Sequence, residues 1–297
     1  MAEQVVGFVG LGAMGLPMAR NLVRRGMVVR GFDMRDAAMA ALEGDGGVRA
    51  GSAAEAATGA DALILMVVNA AQAEQVLFAD GALDAMAPRG IVILMATCPP
   101  GAAERLAERV LATQRRFVDA PVSGGVAGAT RAGLTIMAAA PHETFAAAKP
   151  VLDALGDKVF HVGEKPGQGA VVKTVNQLLA GVHIAVAAEA FSLAAKVGVD
   201  LNVILEIMSG SAASSWMIRD RGPRMLQRDP EVTSAVDIFV KDLGIVLDAG
   251  RETKAALPLA AVAHQLFLAA SGRGEGAADD SQVIRSYYAL NGTSLPE

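Results

Sequence analysis

Short β-branched and apolar runs alternate with Ala-rich helical stretches through the first half of the chain. Residues 5–9, 28–32, 62–68, 91–95 and 116–119 read as strands, with helical patterns between the first four, such as 14–25 and 71–77. Residues 133–138 read as one further strand. Strands separated by helices call for right-handed βαβ crossovers, hence a mainly parallel sheet covered on both faces. The texture changes after Val162. Residues 163–169, rich in Gly with Lys and Pro, form a loop, and beyond it long helical patterns follow with almost no strand candidates. The first begins near Ala170, can run to about Lys196 and stops at Gly198, a suitable residue just past a helix end. At 1.5 Å per residue it would be about 40 Å long, enough to bridge two domains or two subunits. Residues 200–209, 215–227, 235–254 and 258–271 are further helices. The pattern predicts two domains, an α/β domain over 1–163 and an all-helical one over 164–297.

Composition narrows the class. Of 297 residues 53% are hydrophobic, 19% charged and 4% aromatic, and the formal net charge is −5. These values exclude a disordered chain, a nucleic-acid binder relying on bulk positive charge, and a small disulfide scaffold. The mean hydropathy of +0.38 raises the question of a membrane. The most apolar long stretch, 178–195, contains His183 and Glu189, with Asn176 just before it and Lys196 just after. Much of its apolarity is Ala, a good helix former and a poor lipid anchor. It reads as a buried helix of a soluble protein. The first residues carry no basic export region, the single Cys98 leaves no intrachain disulfide, and no Cys or His spacing resembles a metal site. A reduced cytoplasmic setting, without metal, nucleic acid or membrane partner, is the expectation.

The clearest chemical motif follows the first strand. Gly10-Leu11-Gly12-Ala13-Met14-Gly15 is G-x-G-x-x-G between a strand and a helix. Gly10 allows the tight turn, Gly12 removes a Cβ that would block a pyrophosphate, and Gly15 lets helix and strand pack closely. The second strand ends at Asp33, twenty-one residues after Gly12, where a carboxylate can accept from a ribose 2′-hydroxyl and repel a 2′-phosphate. The pattern therefore points to NAD rather than NADP. Arg35 complicates this, since an arginine there is either solvated or able to reach a 2′-phosphate. Asn69 and Thr97 follow the third and fourth strands, at the carboxyl ends where a cofactor binds; both residue types are equally good helix caps.

A second constellation lies further on. Pro121-Val122-Ser123-Gly124-Gly125 offers unobstructed backbone N–H groups and a hydroxyl, which can hold a carboxylate or form a plain turn. Lys173 and Asn176 are three residues apart and share one face of the long helix. A lysine on an apolar helix near its N-terminus is opposed by the dipole and by burial. Both lower its pKa, which suits a general base; the alternative is a lysine that extends to solvent.

Together these segments resemble the β-hydroxyacid dehydrogenase family. The resemblance covers nearly the whole chain and rests on the Gly7–Gly15 run, on Asp119-Ala120-Pro121-Val122-Ser123-Gly124-Gly125, on Gly169-x-x-x-Lys173-x-x-Asn176-Gln177 and on Lys241-Asp242-Leu243. It implies a Rossmann-type parallel sheet domain followed by an all-α C-terminal domain, joined by a long interdomain helix. It also implies Lys173 as general acid/base and Asn176 as its substrate-orienting partner. Ser123, Gly124 and Gly125 match the carboxylate-holding segment. Thr97 matches a cofactor contact and Lys241 the lysine on the nicotinamide side, although a Lys-Asp pair on a helix is commonly just solvated.

Residues 177–185, 214–217 and 234–244 look most like the branch that oxidises C2 of a four-carbon sugar acid, which implies L-threonate as substrate with NAD. The other readings are oxidation of 3-hydroxyisobutyrate, reduction of tartronate semialdehyde, and a non-catalytic dinucleotide-binding regulator. His183 reads equally as a site residue or as an interface histidine. The long apolar helix suggests a homodimer or homotetramer.

Overall fold

A computed structural model of the chain describes residues 4–293. Its contacts divide it into two compact units, one running to Lys173 and the other from Thr174. Among the described residues of the first unit are nine strands: β1 (Val5–Val9), β2 (Val28–Phe32), β3 (Val48–Arg49), β4 (Ala62–Leu65), β5 (Ile91–Leu94), β6 (Arg116–Asp119), β7 (Val122–Ser123), β8 (Thr135–Ala139) and β9 (Lys158–Gly163). Between them run α1 (Gly15–Arg24), α2 (Asp36–Gly44), α3 (Ala53–Ala57), α4 (Ala70–Glu74), α5 (Ala82–Ala85), α6 (Pro100–Leu111), α7 (Gly125–Thr130) and α8 (His142–Asp153). The strands form one sheet in the order β3-β2-β1-β4-β5-β6-β8-β7, with β9 also on β8. Pairing is parallel from β3 to β6, antiparallel where β8 meets β6 and β7, and parallel again between β8 and β9.

The sheet is covered on both faces, so its central strands are apolar throughout. β4 reads Ala-Leu-Ile-Leu and β5 Ile-Val-Ile-Leu, every residue buried. Alternation divides them between two cores: Ile64 and Ile93 join Phe8, Met18 and Leu22 on one face, while Leu63, Leu65, Val92 and Leu94 join Leu106 and Phe117 on the other. Chain order reverses at β1, which lies between β2 and β4. That switch point opens a crevice at the carboxyl ends of the strands, directly above the Gly10–Gly15 turn.

Strand β4 ends three residues earlier than the apolar run suggests. Met66 still donates its N–H to the Val9 carbonyl at 2.9 Å, but β1 turns away at Gly10, and the Val68 N–H goes instead to the Gln72 side-chain oxygen at 2.9 Å. The edge strand β9 and the two-residue strands β3 and β7 are additions to the elements read from the sequence.

The second unit is helical: the remainder of α9 (Gln168–Lys196), then α10 (Leu201–Gly210), α11 (Trp216–Met225), α12 (Val236–Thr253), α13 (Pro258–Ala270) and α14 (Ile284–Asn291). Among the described residues its only β pairing is an isolated bridge, Ala235 with Asp279. Ile184, Ala188 and Phe191 of α9 pack into a core with Phe239, Leu243, Phe267, Ile284 and Tyr287. By length and composition α9 could cross a membrane, yet half of its most apolar stretch is buried inside the protein. Asp200 and Ser215 cap α10 and α11, accepting from the N–H groups of Asn202 and Ile218.

Candidate active site

The glycine turn has the conformation its sequence requires. Gly10 has φ +96°, and a Cβ there would collide with the Met66 carbonyl. Gly15 packs so closely that a Cβ would collide with the carbonyl oxygen of Gly10. Gly12 is different: the nearest atom a Cβ would meet is the Arg35 guanidinium, 3.8 Å away. The space over Gly12 is therefore open, as a phosphate approaching the start of α1 needs. Ala13 and Met14 complete the turn, Met14 immediately preceding the first helical residue. Beside it, Gly12, Ala13, Leu16, Arg20 and Thr130 line a cleft of about 280 Å³.

Asp33 does more than the spacing indicated. Its Oδ2 accepts the Leu11 N–H at 2.8 Å, fastening the glycine turn to the end of β2. Its Oδ1 accepts from the backbone N–H and the Nε of Arg35, at 2.9 and 3.0 Å. Burial would raise this carboxyl, but the Arg35 hydrogen bonds and the Leu11 N–H outweigh it and hold the pKa below the usual range. Asp33 is thus a fixed anion at neutral pH. Arg35 bends back over the turn, donating to the Leu11 carbonyl at 3.1 Å, and remains largely exposed. Asn69 caps α4 through the Gln72 N–H at 2.9 Å, and Thr97 follows β5. Both stand at carboxyl ends of central strands.

In the same unit, β6 and α9 meet through one carboxylate. Asp119, the last residue of β6 and 1% exposed, accepts the N–H groups of Gly167 and Ala170 on Oδ2, each at 2.9 Å. Burial pushes its pKa up to about 6 against the pull of these N–H groups, with Glu104 adding to the rise. The chain leaves Asp119 into β7, and Gly124 and Gly125 follow Ser123 with φ +132° and +60°. No atom lies within 4 Å of a Cβ placed on Gly125, so its backbone is open to a ligand. Lys173 lies in the second turn of α9 and is buried.

The second unit contributes a chain of polar side chains. Asn176 Nδ2 donates to Gln177 Oε1 at 2.8 Å, and Gln177 Nε2 donates to Asp242 Oδ2 at 2.5 Å. The Lys241 ammonium lies 2.6 Å from Asp242 Oδ1. Asp242 is only 2% exposed while the Lys241 side chain keeps a quarter of its surface in solvent, so the pair is anchored on its acidic side. Gln177 and Asp242 stand in the motifs quoted from the sequence but were given no role there; the hydrogen bond between them is what the structure adds. His183 is half-buried on α9. Among the described residues no group of three or more His, Cys, Asp or Glu could hold a metal ion.

Comparison with known proteins adds the family. Residues 5–163 match the NAD binding domain of 6-phosphogluconate dehydrogenase, and residues 167–287 match a family described as NAD-binding of NADP-dependent 3-hydroxyisobutyrate dehydrogenase. The L-threonate dehydrogenase of Cupriavidus necator is 46% identical, with 95% of each chain covered. That of Escherichia coli K12 is 41% identical over 99% of this chain and 97% of its own. The crystal structure of a 3-hydroxyisobutyrate dehydrogenase from Salmonella typhimurium superposes with a TM-score of 0.92 at 43% identity, covering 95% of this chain and 99% of that one.

Proposed function

This chain belongs to the β-hydroxyacid dehydrogenase family of 3-hydroxyisobutyrate dehydrogenase-like enzymes, and from that premise we propose that it oxidises L-threonate at C2: L-threonate + NAD⁺ → 2-dehydro-L-erythronate + NADH + H⁺. The observation that carries the substrate is the similarity to L-threonate dehydrogenases over nearly the full length of both chains. The reaction class, an oxidoreductase acting on a CH–OH group with a nicotinamide cofactor, follows from the family itself. In this reading residues 1–163 bind the cofactor and 164–297 serve substrate binding and oligomerisation.

Lys173 takes the C2 hydroxyl proton as hydride leaves C2. Ser123 and the N–H groups of Gly124 and Gly125 hold the substrate carboxylate, and Asn176 orients the reacting end. The turn of Gly10, Gly12, Ala13, Met14 and Gly15 would hold the pyrophosphate, Asp33 the adenosine ribose, and Asn69, Thr97 and Lys241 the nicotinamide half. NAD, when bound, supplies the hydride acceptor. A polyhydroxylated acid suits a site with buried polar partners, because such a site rejects analogues that leave those partners unpaired. The solved Salmonella relative favours a second reading, in which the substrate is 3-hydroxyisobutyrate and the reacting hydroxyl is β to the carboxylate.

The test is a reduction assay with L-threonate, D-threonate, D-erythronate, D-glycerate, 3-hydroxyisobutyrate and 6-phosphogluconate, each with NAD⁺ and with NADP⁺. L-threonate with NAD⁺ is expected to give the highest kcat/KM, since the ionised Asp33 repels a 2′-phosphate. A preference for 3-hydroxyisobutyrate would sink the substrate assignment, and a preference for NADP⁺ the role of Asp33.

The same reading includes a homo-oligomer, a dimer or tetramer, in the reducing cytoplasm. Val172, Leu179, Val186 and Leu193 recur every seven residues on α9 and are all exposed, although other sides of the helix are buried. A helix apolar on so many sides suits burial against a second copy. Leu179→Glu is expected to lower the solution mass measured by light scattering. An unchanged mass would place the interface elsewhere.

A further inference from the structure

Gly169 and Lys173 lie four residues apart on α9, so their Cα–Cβ directions share a face. A Cβ on Gly169 would lie 2.5 Å from the Met137 carbonyl oxygen and 2.6 Å from that of Asp119. That face is therefore turned toward the middle of β8 and the end of β6. Lys173 leaves the helix on the same side one turn further on, consistent with its 7% exposure. Long helical side chains lean toward the helix N-terminus. By this rule the lysine side chain is expected to run back toward the turn whose N–H groups Asp119 accepts.

We propose that Asp119 is the positioning residue of Lys173: from the end of β6 its buried carboxylate fixes the first turn of α9 and supplies the negative charge that offsets the helix dipole beneath the lysine. The inference rests on Lys173 being the acid/base. Stability alone does not account for a carboxylate at this place. The largest influences on it are burial, the N–H groups of Ala170, Gly167 and Gly169, and the like charge of Glu104 on α6. A neutral Asn or Ser would accept the same N–H groups without the cost of burying a charge. The charge does have an effect on Lys173. A helix N-terminus disfavours an ammonium, and an anion at that terminus opposes the field. Asp119 therefore keeps the lysine basic enough to take a hydroxyl proton while holding the backbone from which it extends.

The experiment measures kcat and KM for L-threonate and NAD⁺ across about pH 6 to 10, a window around the lysine titration. Asp119→Asn is compared with the wild-type enzyme, and Asp119→Ser, a smaller neutral cap, is the second variant should the first not fold. Both are expected to bind NAD⁺ as before, to lose kcat about tenfold with a smaller change in KM, and to move the acid limb of kcat/KM down by about half a unit or more. A limb at the wild-type position in either folded variant, with activity falling only as folded protein is lost, would overturn the proposal. Failure of both variants to fold would overturn it as well, by assigning Asp119 to stability. A wild-type enzyme without this limb, or an active Lys173→Ala enzyme, would instead remove the acid/base reading of Lys173.

Discussion

Lys173→Ala is expected to lower kcat by about three orders of magnitude while leaving NAD⁺ affinity nearly unchanged. General acid–base catalysis contributes about 10²- to 10⁴-fold, and a deleted base leaves the bound hydroxyl without a proton acceptor as hydride departs. The residues proposed to hold the cofactor's pyrophosphate and ribose lie in the Gly10–Gly15 turn and at Asp33, on other elements, so binding should survive. The check is paired: steady-state turnover with L-threonate, and NAD⁺ binding by tryptophan fluorescence or calorimetry. A variant with near-normal kcat would refute the mechanism, whereas loss of NAD⁺ binding together with turnover would make Lys173 a structural element of the cofactor site.

The fold was legible where the pattern is local and two-sided. Strands β1, β2 and β6 coincide with the runs read from the sequence because β-branched and aromatic residues dominate each and because Gly or Asp closes it. Of the C-terminal helices, α10 and α11 begin at the capping residues Asp200 and Ser215 where the sequence placed them, whereas α14 was not read from the sequence. Neither was strand β9. It lies at an edge with Lys158 and Phe160 exposed, so it lacks both the continuous apolar run and a clean alternation. Strand β7 has only two residues, and its pairing with β8 depends on where the chain turns after Asp119.

The candidate site divides in the same way. Gly10, Gly12, Gly15 and Asp33 announce themselves by spacing, because one turn and one crossover fix their separation. The bonds that hold the rest together have no spacing rule. Asp119 reaches Gly167 across 48 residues and Gln177 reaches Asp242 across 65. The sequence places each of these beside a residue of interest without stating what its side chain does. Only the topology shows that Asp119 ends the strand facing the start of α9.

Arg221→Met is expected to destabilise the second unit by about 3–5 kcal/mol, the usual cost of removing one partner of a buried ion pair. Arg221 on α11 donates Nε and Nη2 to Asp280 at 3.0 and 2.8 Å, and Asp280 is fully buried. Burial raises the Asp280 carboxyl and Arg221 opposes the rise. Without Arg221 the rise is opposed only by the weaker pull of Arg224, so the native state retains a proton that the unfolded chain releases. Stability of the variant should then fall as pH rises above the usual carboxylate range, more steeply than in the wild type. The effect extends to the functional residues: Asp279 accepts from Arg224 and Thr233, and the adjoining segment receives the first turn of α12 through Val236 N–H to Ala278 and Asp237 N–H to Gly276. Lys241 and Asp242 follow in the next turn or so of that helix. The double variant Arg221→Met/Asp280→Leu leaves no buried charge without a partner, since Asp220 still has Arg224. It should recover most of the lost stability, because a buried pair replaced by apolar residues is often neutral or better. Chemical denaturation at two pH values decides the matter. A double variant as unstable as the single one would show that packing of the arginine, rather than its charge, holds α11 in place.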